Sequence, residues 1–159
     1  MFVEVEKKNN KVDNYKLMLE NTPFYLNKGD NLVTSLANIS ALINYFIDGV
    51  NWVGFYLFDG SKLYLGPFQG LPACTQILMG SGVCGNSALD RKTYIVDDVN
   101  AFPGHIACDS NSKSEIVVPI IKDDLLIGVL DIDSPLENRF DQTDKKYLEK
   151  VISLLVDFL

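Results

Sequence analysis

Two pairs of short apolar segments, each pair joined by a tight polar turn, constrain the fold of this 159-residue chain most strongly. The first turn contains Asp59-Gly60, a dipeptide that favours hairpins, and the second is centred on residues 122–124. Strands joined by so few residues can pair only in the antiparallel sense. The predicted strands are residues 52–58, 62–68, 115–121 and 125–133, with a brief further strand at 94–97.

Helices are predicted mainly at the two ends of the chain, where apolar residues recur at helical spacing. The predicted helices cover residues 11–25, residues 30–49 with Asp30 as the N-cap, a short segment ending near Lys92, and the C-terminal segment that Asp141 caps. Hairpins in the middle and helices at the ends indicate an α+β fold with an antiparallel sheet rather than a doubly wound parallel sheet.

The length suits one domain: residues 1–10 are predicted to be a polar N-terminal extension and residues 11–159 a single domain. A net charge of −7 argues against nucleic-acid or membrane partners, because phosphate binding needs clustered lysine and arginine. The sequence contains neither a membrane-span-length apolar run nor an apolar signal core, so a cytoplasmic location is expected.

The three cysteines are an odd number, which disfavours a secreted disulfide framework and leaves free, metal-bound or redox-active thiols. Cys84 lies in a glycine-rich turn that opens a short helix, where the positive end of the helix dipole is expected to stabilise its thiolate. The glycines of that turn also fit G-x-G-x-x-G, but the short helix and the early acidic residues do not fit a dinucleotide site.

Cys108 lies in a segment without helix or strand periodicity, three residues after the only histidine, His105. Such loop positions often carry chemistry, and the histidine ring could favour the Cys108 thiolate, whereas Asp109 would oppose it. Cys74 could equally be an inert, buried small residue. A zinc site from the three cysteines and His105 has suitable ligand types but lacks a C-x-x-C pair, so it is a weaker interpretation.

The second hairpin carries three carboxylates whose placement depends on its register. With a three-residue loop, Glu115 is expected opposite Asp131, and Asp133 lies two residues further along the same face. A two- or four-residue loop would instead turn Glu115 to the other face. Converging carboxylates could bind an ammonium group, with one of them protonated as an acid; alternatively, they merely solvate the strand ends.

Trp52 and Tyr56 lie four residues apart on one predicted strand and therefore share a face. An aromatic pair suits an apolar, sulfur-bearing ligand, although it could also belong to the core.

Several short motifs, in matching order from about residue 15 to residue 155, resemble those of the free methionine-(R)-sulfoxide reductases, which are stand-alone GAF domains. The motifs are Asn51-Trp-Val-Gly-Phe-Tyr56, Leu65-Gly-Pro-Phe-Gln-Gly70, Gly82-Val-Cys-Gly85, Gly104-His-Ile-Ala-Cys-Asp109, Ser114-Glu-Ile-Val-Val-Pro119 and Gly128-Val-Leu-Asp-Ile-Asp-Ser134. The Gly-His-Ile-Ala-Cys-Asp string with two upstream cysteines is specific to this family among GAF domains.

The resemblance implies a roughly six-stranded GAF sheet and reduction of free, not peptide-bound, methionine sulfoxide of the R epimer. It also implies that Cys108 attacks the substrate and that the pocket is lined by Trp52, Tyr56, Glu115, Asp131 and Asp133. No bound cofactor or metal is implied.

General chemistry then suggests that Cys108 becomes a sulfenic acid while an acid such as Glu115 protonates the departing oxygen. A second cysteine forms a disulfide with it, and thioredoxin, linked to NADPH, reduces that disulfide. The sequence leaves open whether Cys84 or Cys74 is the second cysteine, and whether the protein is a homodimer. The alternative functions are a GAF sensor that binds a small ligand without turnover and, less well supported, a zinc-binding structural protein.

Overall fold

The computed structural model describes residues 5–104 and 109–159, which include a six-stranded antiparallel sheet. The strands are β1 Trp52–Phe58, β2 Lys62–Gln69, β3 Gln76–Leu78, β4 Tyr94–Val96, β5 Ser114–Lys122 and β6 Leu125–Ser134. Their order across the sheet is β3-β2-β1-β6-β5-β4. The predicted antiparallel α+β architecture is confirmed, and β3 is the one strand of the described sheet that the sequence analysis missed.

Four α-helices flank the sheet: α1 Lys11–Asn21, α2 Leu32–Phe46, α3 Gly82–Asp90 and α4 Gln142–Val156. Short 3₁₀ helices cover Thr22–Tyr25 and Val99–Ala101. No helix of the described residues has both the length and the apolar character needed to cross a membrane.

Of the two predicted N-caps, that of α4 is confirmed and that of α2 is wrong by one residue. Asp141 caps α4 as predicted, and its side chain accepts from the Asp144 N–H while the Asp144 side chain accepts from the Asp141 N–H. The N-cap of α2 is Asn31 rather than Asp30, because the Asn31 side chain accepts from the Thr34 N–H at 2.9 Å.

The two faces of the sheet bury different groups of residues. One face packs against α1, α2 and α4 and forms the larger core, which includes Val53, Phe55 and Ile116. The other face, which carries Trp52 and Tyr56, packs against α3 and forms a smaller cluster. This division follows from the two-residue period of a strand, and it places the candidate pocket residues on the α3 side.

The loop between β5 and β6 has two residues, not the predicted three. Asp123 and Asp124 have φ angles of 49° and 61°, as a tight two-residue hairpin turn of the I′ type requires. A two-residue loop without further change would have moved Glu115 to the larger core.

A bulge in β6 reverses that effect. Ile121 pairs with Leu126, whereas the next pair is Ile120 with Gly128, so Ile127 is an extra residue. Beyond this bulge Glu115 pairs with Asp133. The expected pairing of Glu115 with Asp131 is therefore wrong by two residues, but the expected common face is confirmed.

Candidate active site

Three carboxylates converge on the α3 side of the sheet. Glu115 lies on β5 and pairs with Asp133 on β6, and Asp131 lies two residues back on the same face of β6. Their exposed fractions are only 5%, 9% and 6% for Glu115, Asp133 and Asp131. Such burial excludes the alternative in which these acids simply solvate the strand ends.

Burial makes these carboxyl groups hold protons more tightly than carboxyl groups in water. It raises the pKa of Glu115 and of Asp133 well above the ordinary values, and the negative charge of Asp131 raises both further. Burial also raises the pKa of Asp131 to about 6, although hydrogen bonds from Cys84 and Glu115 lower it. The cluster therefore retains at least one proton at neutral pH.

One oxygen of this cluster has no partner among the described residues. Asp131 Oδ1 is fully buried and makes no hydrogen bond there. The cavity beside it has a volume of about 20 Å³, and none of the described residues that line it is a lysine or an arginine. A buried, unpaired carboxylate oxygen is costly, so this site is suited to a cationic donor that is not part of the described protein.

An aromatic wall adjoins the carboxylates. The Trp52 ring stacks on Tyr56 with 5.9 Å between centroids and on Phe68 with 5.3 Å. Trp52 donates through Nε1 to the Leu71 carbonyl at 3.1 Å, and the Tyr56 hydroxyl donates to the Cys74 carbonyl at 3.0 Å. Burial raises the pKa of Tyr56 as well, so its hydroxyl remains a neutral donor. Both rings are thereby fixed, and both are also part of the smaller core.

Two glycines make room for the Trp52 ring. A Cβ atom at Gly54 would lie 2.4 Å from Trp52 Cη2, and one at Gly70 would lie 2.5 Å from Trp52 Cδ1. Gly70 also has a φ of +138°, which side-chain-bearing residues rarely adopt. The orientation of Trp52 thus depends on the absence of side chains at both positions.

The expectation that α3 stabilises a Cys84 thiolate is wrong. Cys84 is the third residue of α3, but its side chain is buried and points at the carboxylates, with Sγ 3.8 Å from Glu115 Oε1. Burial raises the pKa of the Cys84 thiol well above its ordinary value, and the charges of Asp131 and Glu115 raise it further. Desolvation and like charge outweigh the helix dipole, because that dipole amounts to about half a charge.

The cysteines differ in state. Cys84 is a free thiol, whereas Cys74 is disulfide-bonded and only partly buried. Cys108 and His105, the two remaining candidates, lie outside the described residues. A zinc site that includes Cys74 would require its disulfide to be broken first. Cys84, Glu115 and Asp131 do place one sulfur and two carboxylate oxygens within 4.8 Å of one another, a spacing that could hold a metal ion.

Comparison with known proteins assigns the family. A GAF domain model matches residues 32–156. The chain is 49% identical to the free methionine-R-sulfoxide reductase of Saccharomyces cerevisiae, over 79% of this chain and 74% of that protein. It is 45% identical to the Escherichia coli protein of the same name, over 77% and 74% respectively. This chain is a GAF domain of the free methionine-R-sulfoxide reductase family.

A solved structure supports the same assignment. The free methionine-R-sulfoxide reductase of Neisseria meningitidis in complex with its substrate superposes with a TM-score of 0.94 at 41% identity. The match covers 99% of this chain and 95% of that one. The GAF fold implied by the motifs is thereby confirmed.

Three polar residues lie beside the carboxylates in this reductase-family chain, and the contacts between them were not predicted. Asn51 donates through Nδ2 to Asp109 Oδ2 at 2.9 Å and to Ser112 Oγ at 3.2 Å. A hydrogen bond from Ser112 in turn lowers the pKa of Asp133, against the larger effect of burial. Asn51 and Asp109 lie inside the motifs quoted above, but they are 58 residues apart along the chain. Only the folded chain identifies these contacts.

Proposed function

We propose that this chain reduces free L-methionine-(R)-sulfoxide to methionine. The observation that carries the proposal is the buried group of Glu115, Asp131 and Asp133 beside the Trp52–Tyr56 wall, with one carboxylate oxygen unpartnered. This arrangement pairs negative charge with an apolar aromatic surface, as a free amino acid with a thioether-like side chain requires. The names of its relatives agree with this substrate.

The carboxylates explain a preference for the free amino acid. Asp131 and Asp133 would accept hydrogen bonds from the substrate ammonium, which supplies the cation that the site lacks. A peptide-bound methionine sulfoxide has a neutral amide in that place and would leave the buried acids unpaired.

The chemistry needs one attacking thiol, one acid and a second thiol. The Cys108 thiolate attacks the sulfoxide sulfur, Glu115 gives its proton to the oxygen, and the oxygen passes to Cys108 as methionine leaves, which makes Cys108 a sulfenic acid. A second thiol displaces that oxygen as water and forms a disulfide. A dithiol such as thioredoxin then reduces the disulfide, and the protein itself needs no bound cofactor.

Cys74 suits the role of second thiol better than Cys84 does. The thiol of Cys84 is buried and its pKa is raised, and both properties slow attack on a sulfenic acid. Cys74 is less buried and is capable of forming a disulfide, since it is disulfide-bonded in this structure. We therefore assign Cys108 as the nucleophile and Cys74 as its disulfide partner.

The test is a coupled assay of the reduced protein with free methionine-(R)-sulfoxide, thioredoxin, thioredoxin reductase and NADPH. We expect steady NADPH loss, none with the S epimer, and at least a tenfold lower kcat/KM for N-acetyl-methionine sulfoxide, since a lost ionic hydrogen bond costs about 1.5–3 kcal/mol. The Cys108→Ser variant should show no turnover, because a serine hydroxyl is a weak nucleophile. If the protein binds the sulfoxide but does not reduce it with any dithiol as reductant, the sensor function is favoured instead.

A further inference from the structure

The Cys84 thiol occupies a position that the proposed redox cycle does not use. Its sulfur and one carboxylate oxygen each of Glu115 and Asp131 lie within 4.8 Å of one another. The distance from Sγ to Glu115 Oε1 is 3.8 Å, which is within hydrogen-bonding range for sulfur. Among the described residues that line the cavity, Cys84 is the one residue of α3 whose side chain can donate a hydrogen bond to the acids.

The surroundings keep this thiol protonated. Among the described residues, the ionisable groups that face it are Glu115 from β5, Asp131 and Asp133 from β6, Tyr56 from β1 and Asp109 from the loop before β5. The negative charges of Asp131, Glu115 and Asp133 favour the neutral form of Cys84. The S–H therefore stays available as a donor when a neighbouring carboxyl group loses its proton.

The backbone holds Cys84 rigidly in place. The next residue, Gly85, lies so close to β3 that a Cβ atom there would be 2.3 Å from the Leu78 carbonyl oxygen. The Gly85 carbonyl accepts from the Gly80 N–H at 2.8 Å, and the Gly85 N–H donates to the Ser81 carbonyl at 3.0 Å. Because α3 begins against the edge of the sheet, its first turn presents the thiol to the acids at a fixed distance.

We propose that Cys84 is a positioning residue whose neutral S–H donates to the Glu115–Asp131 pair and stabilises the single negative charge of that pair. Burial and the charge of Asp131 keep the proton of the pair on Glu115. Cys84 is not a member of the disulfide cycle. This inference rests on the proposed function, because the carboxyl group that Cys84 positions, Glu115, is the acid of the proposed sulfoxide reduction. The protonated Glu115 is then aligned to give its proton to the sulfoxide oxygen, and the ionised Asp131 is ready for the substrate ammonium.

The test compares Cys84→Ala, which removes the donor, with Cys84→Ser, which keeps one. In Cys84→Ala we expect the pH profile of kcat/KM to move upward by about 0.5–1 pH unit and KM near pH 6.5 to rise about three- to tenfold, the range for a lost weak hydrogen bond to a charged group. Cys84→Ser should restore both towards the wild type. Both variants should turn over repeatedly with thioredoxin, and substrate without reductant should remove two thiols from each.

A measurement without substrate separates this inference from the proposed function. In the reduced protein labelled with ¹³C at its carboxyl groups, Cys84→Ala should raise the pH at which Asp131 titrates, and Cys84→Ser should not. Ser87→Ala, a buried change on the same helix whose hydroxyl instead donates to the Lys92 carbonyl, serves as the control. If Cys84→Ser stalls after one methionine, or if Cys84→Ala titrates like the wild type, the positioning role is wrong. If the titration shifts but wild-type protein reduces no sulfoxide, only the proposed function is wrong.

Discussion

At the scale of single residues, the three carboxylates are chemically similar but their surroundings differ. Glu115 is buried on a strand beside Cys84, whereas Asp131 carries the unpartnered oxygen. In many active sites a carboxyl group with a raised pKa acts as the acid, while a second, ionised carboxylate nearby binds or stabilises charge. The two residues are therefore expected to affect different kinetic constants.

Kinetic variants test that division of roles. Asp131→Asn removes a charge that faces the ammonium, so KM should rise about ten- to a hundredfold. Glu115→Gln removes the transferable proton, so kcat should fall about a hundredfold or more. Glu20→Gln, an exposed change on α1, should alter neither constant. Equal loss of kcat in both site variants would contradict separate roles.

The buried charge of Asp131 should reduce the stability of the ligand-free protein at neutral pH. Its pKa rises from 3.8 to about 6 on folding, so the folded state holds this proton more tightly than the unfolded state does. The stability that this proton contributes is complete below pH 3.8 and is lost as the pH rises through 6. Asp131→Asn should thus be more stable than the wild type by up to about 3 kcal/mol at pH 8, and hardly different at pH 4.

Urea unfolding of the reduced protein at these two pH values measures the effect. The exposed substitution Asp157→Asn is a suitable control, since it removes a solvated carboxylate that costs the folded state little. A pH-independent difference between Asp131→Asn and the wild type would contradict the burial of a charge at this position.

At the scale of secondary-structure elements, the packing of β1 determines the aromatic wall. Gly54 lies between Trp52 and Tyr56 on the same face, and it pairs with Asp131 on β6 and with Phe68 on β2. A side chain here would meet the Trp52 ring and the Phe68 Cβ atom, both at 2.4 Å. β1 thus contributes the Trp52 and Tyr56 rings and, at Gly54, the space that the Trp52 ring occupies.

Substitution at Gly54 should displace the Trp52 ring. We expect Gly54→Ala to destabilise the fold by about 1–3 kcal/mol through overpacking, and to raise KM roughly tenfold at temperatures where the protein remains folded. Phe55→Leu, on the opposite face of the same strand, should destabilise the larger core and leave KM nearly unchanged. Thermal unfolding and steady-state kinetics distinguish the two. An unchanged KM in Gly54→Ala would show that Trp52 does not bind the substrate.

At the scale of the whole molecule, the cysteines should divide into a redox pair and a third thiol, Cys84, that stays outside the disulfide. Reduced protein given methionine sulfoxide without a dithiol should lose two of its three thiols, and peptide mapping should find Cys84 as the one that remains. A disulfide that contains Cys84 would contradict the assignment of Cys74. Three intact thiols after substrate release would contradict the redox cycle itself.

Much of this architecture was predictable from the sequence because it depends on neighbours along the chain. The Asp59-Gly60 turn, the apolar segment 52–58 and the cap at Asp141 act over a few residues, and β1 and α4 lie where they were expected. Asn31 was missed as the cap of α2 because two capping residues stand side by side, and which one caps depends on the backbone conformation there. The short motifs gave the family.

The arrangement of the site was decided only by the tertiary structure. The common face of Glu115 and Asp131 depends on a bulge at Ile127. The neighbouring Gly128 is a local signal of a bulge or a close backbone approach, but it does not by itself determine the register. The protonation of Cys84 depends on its burial and on the charges of Asp131 and Glu115, which lie far from it in sequence, and this reversed the expectation from its helix position. Spacing along the chain therefore determined which residues belong to each element, whereas burial and register, which arise from contacts between elements, determined their protonation and partners.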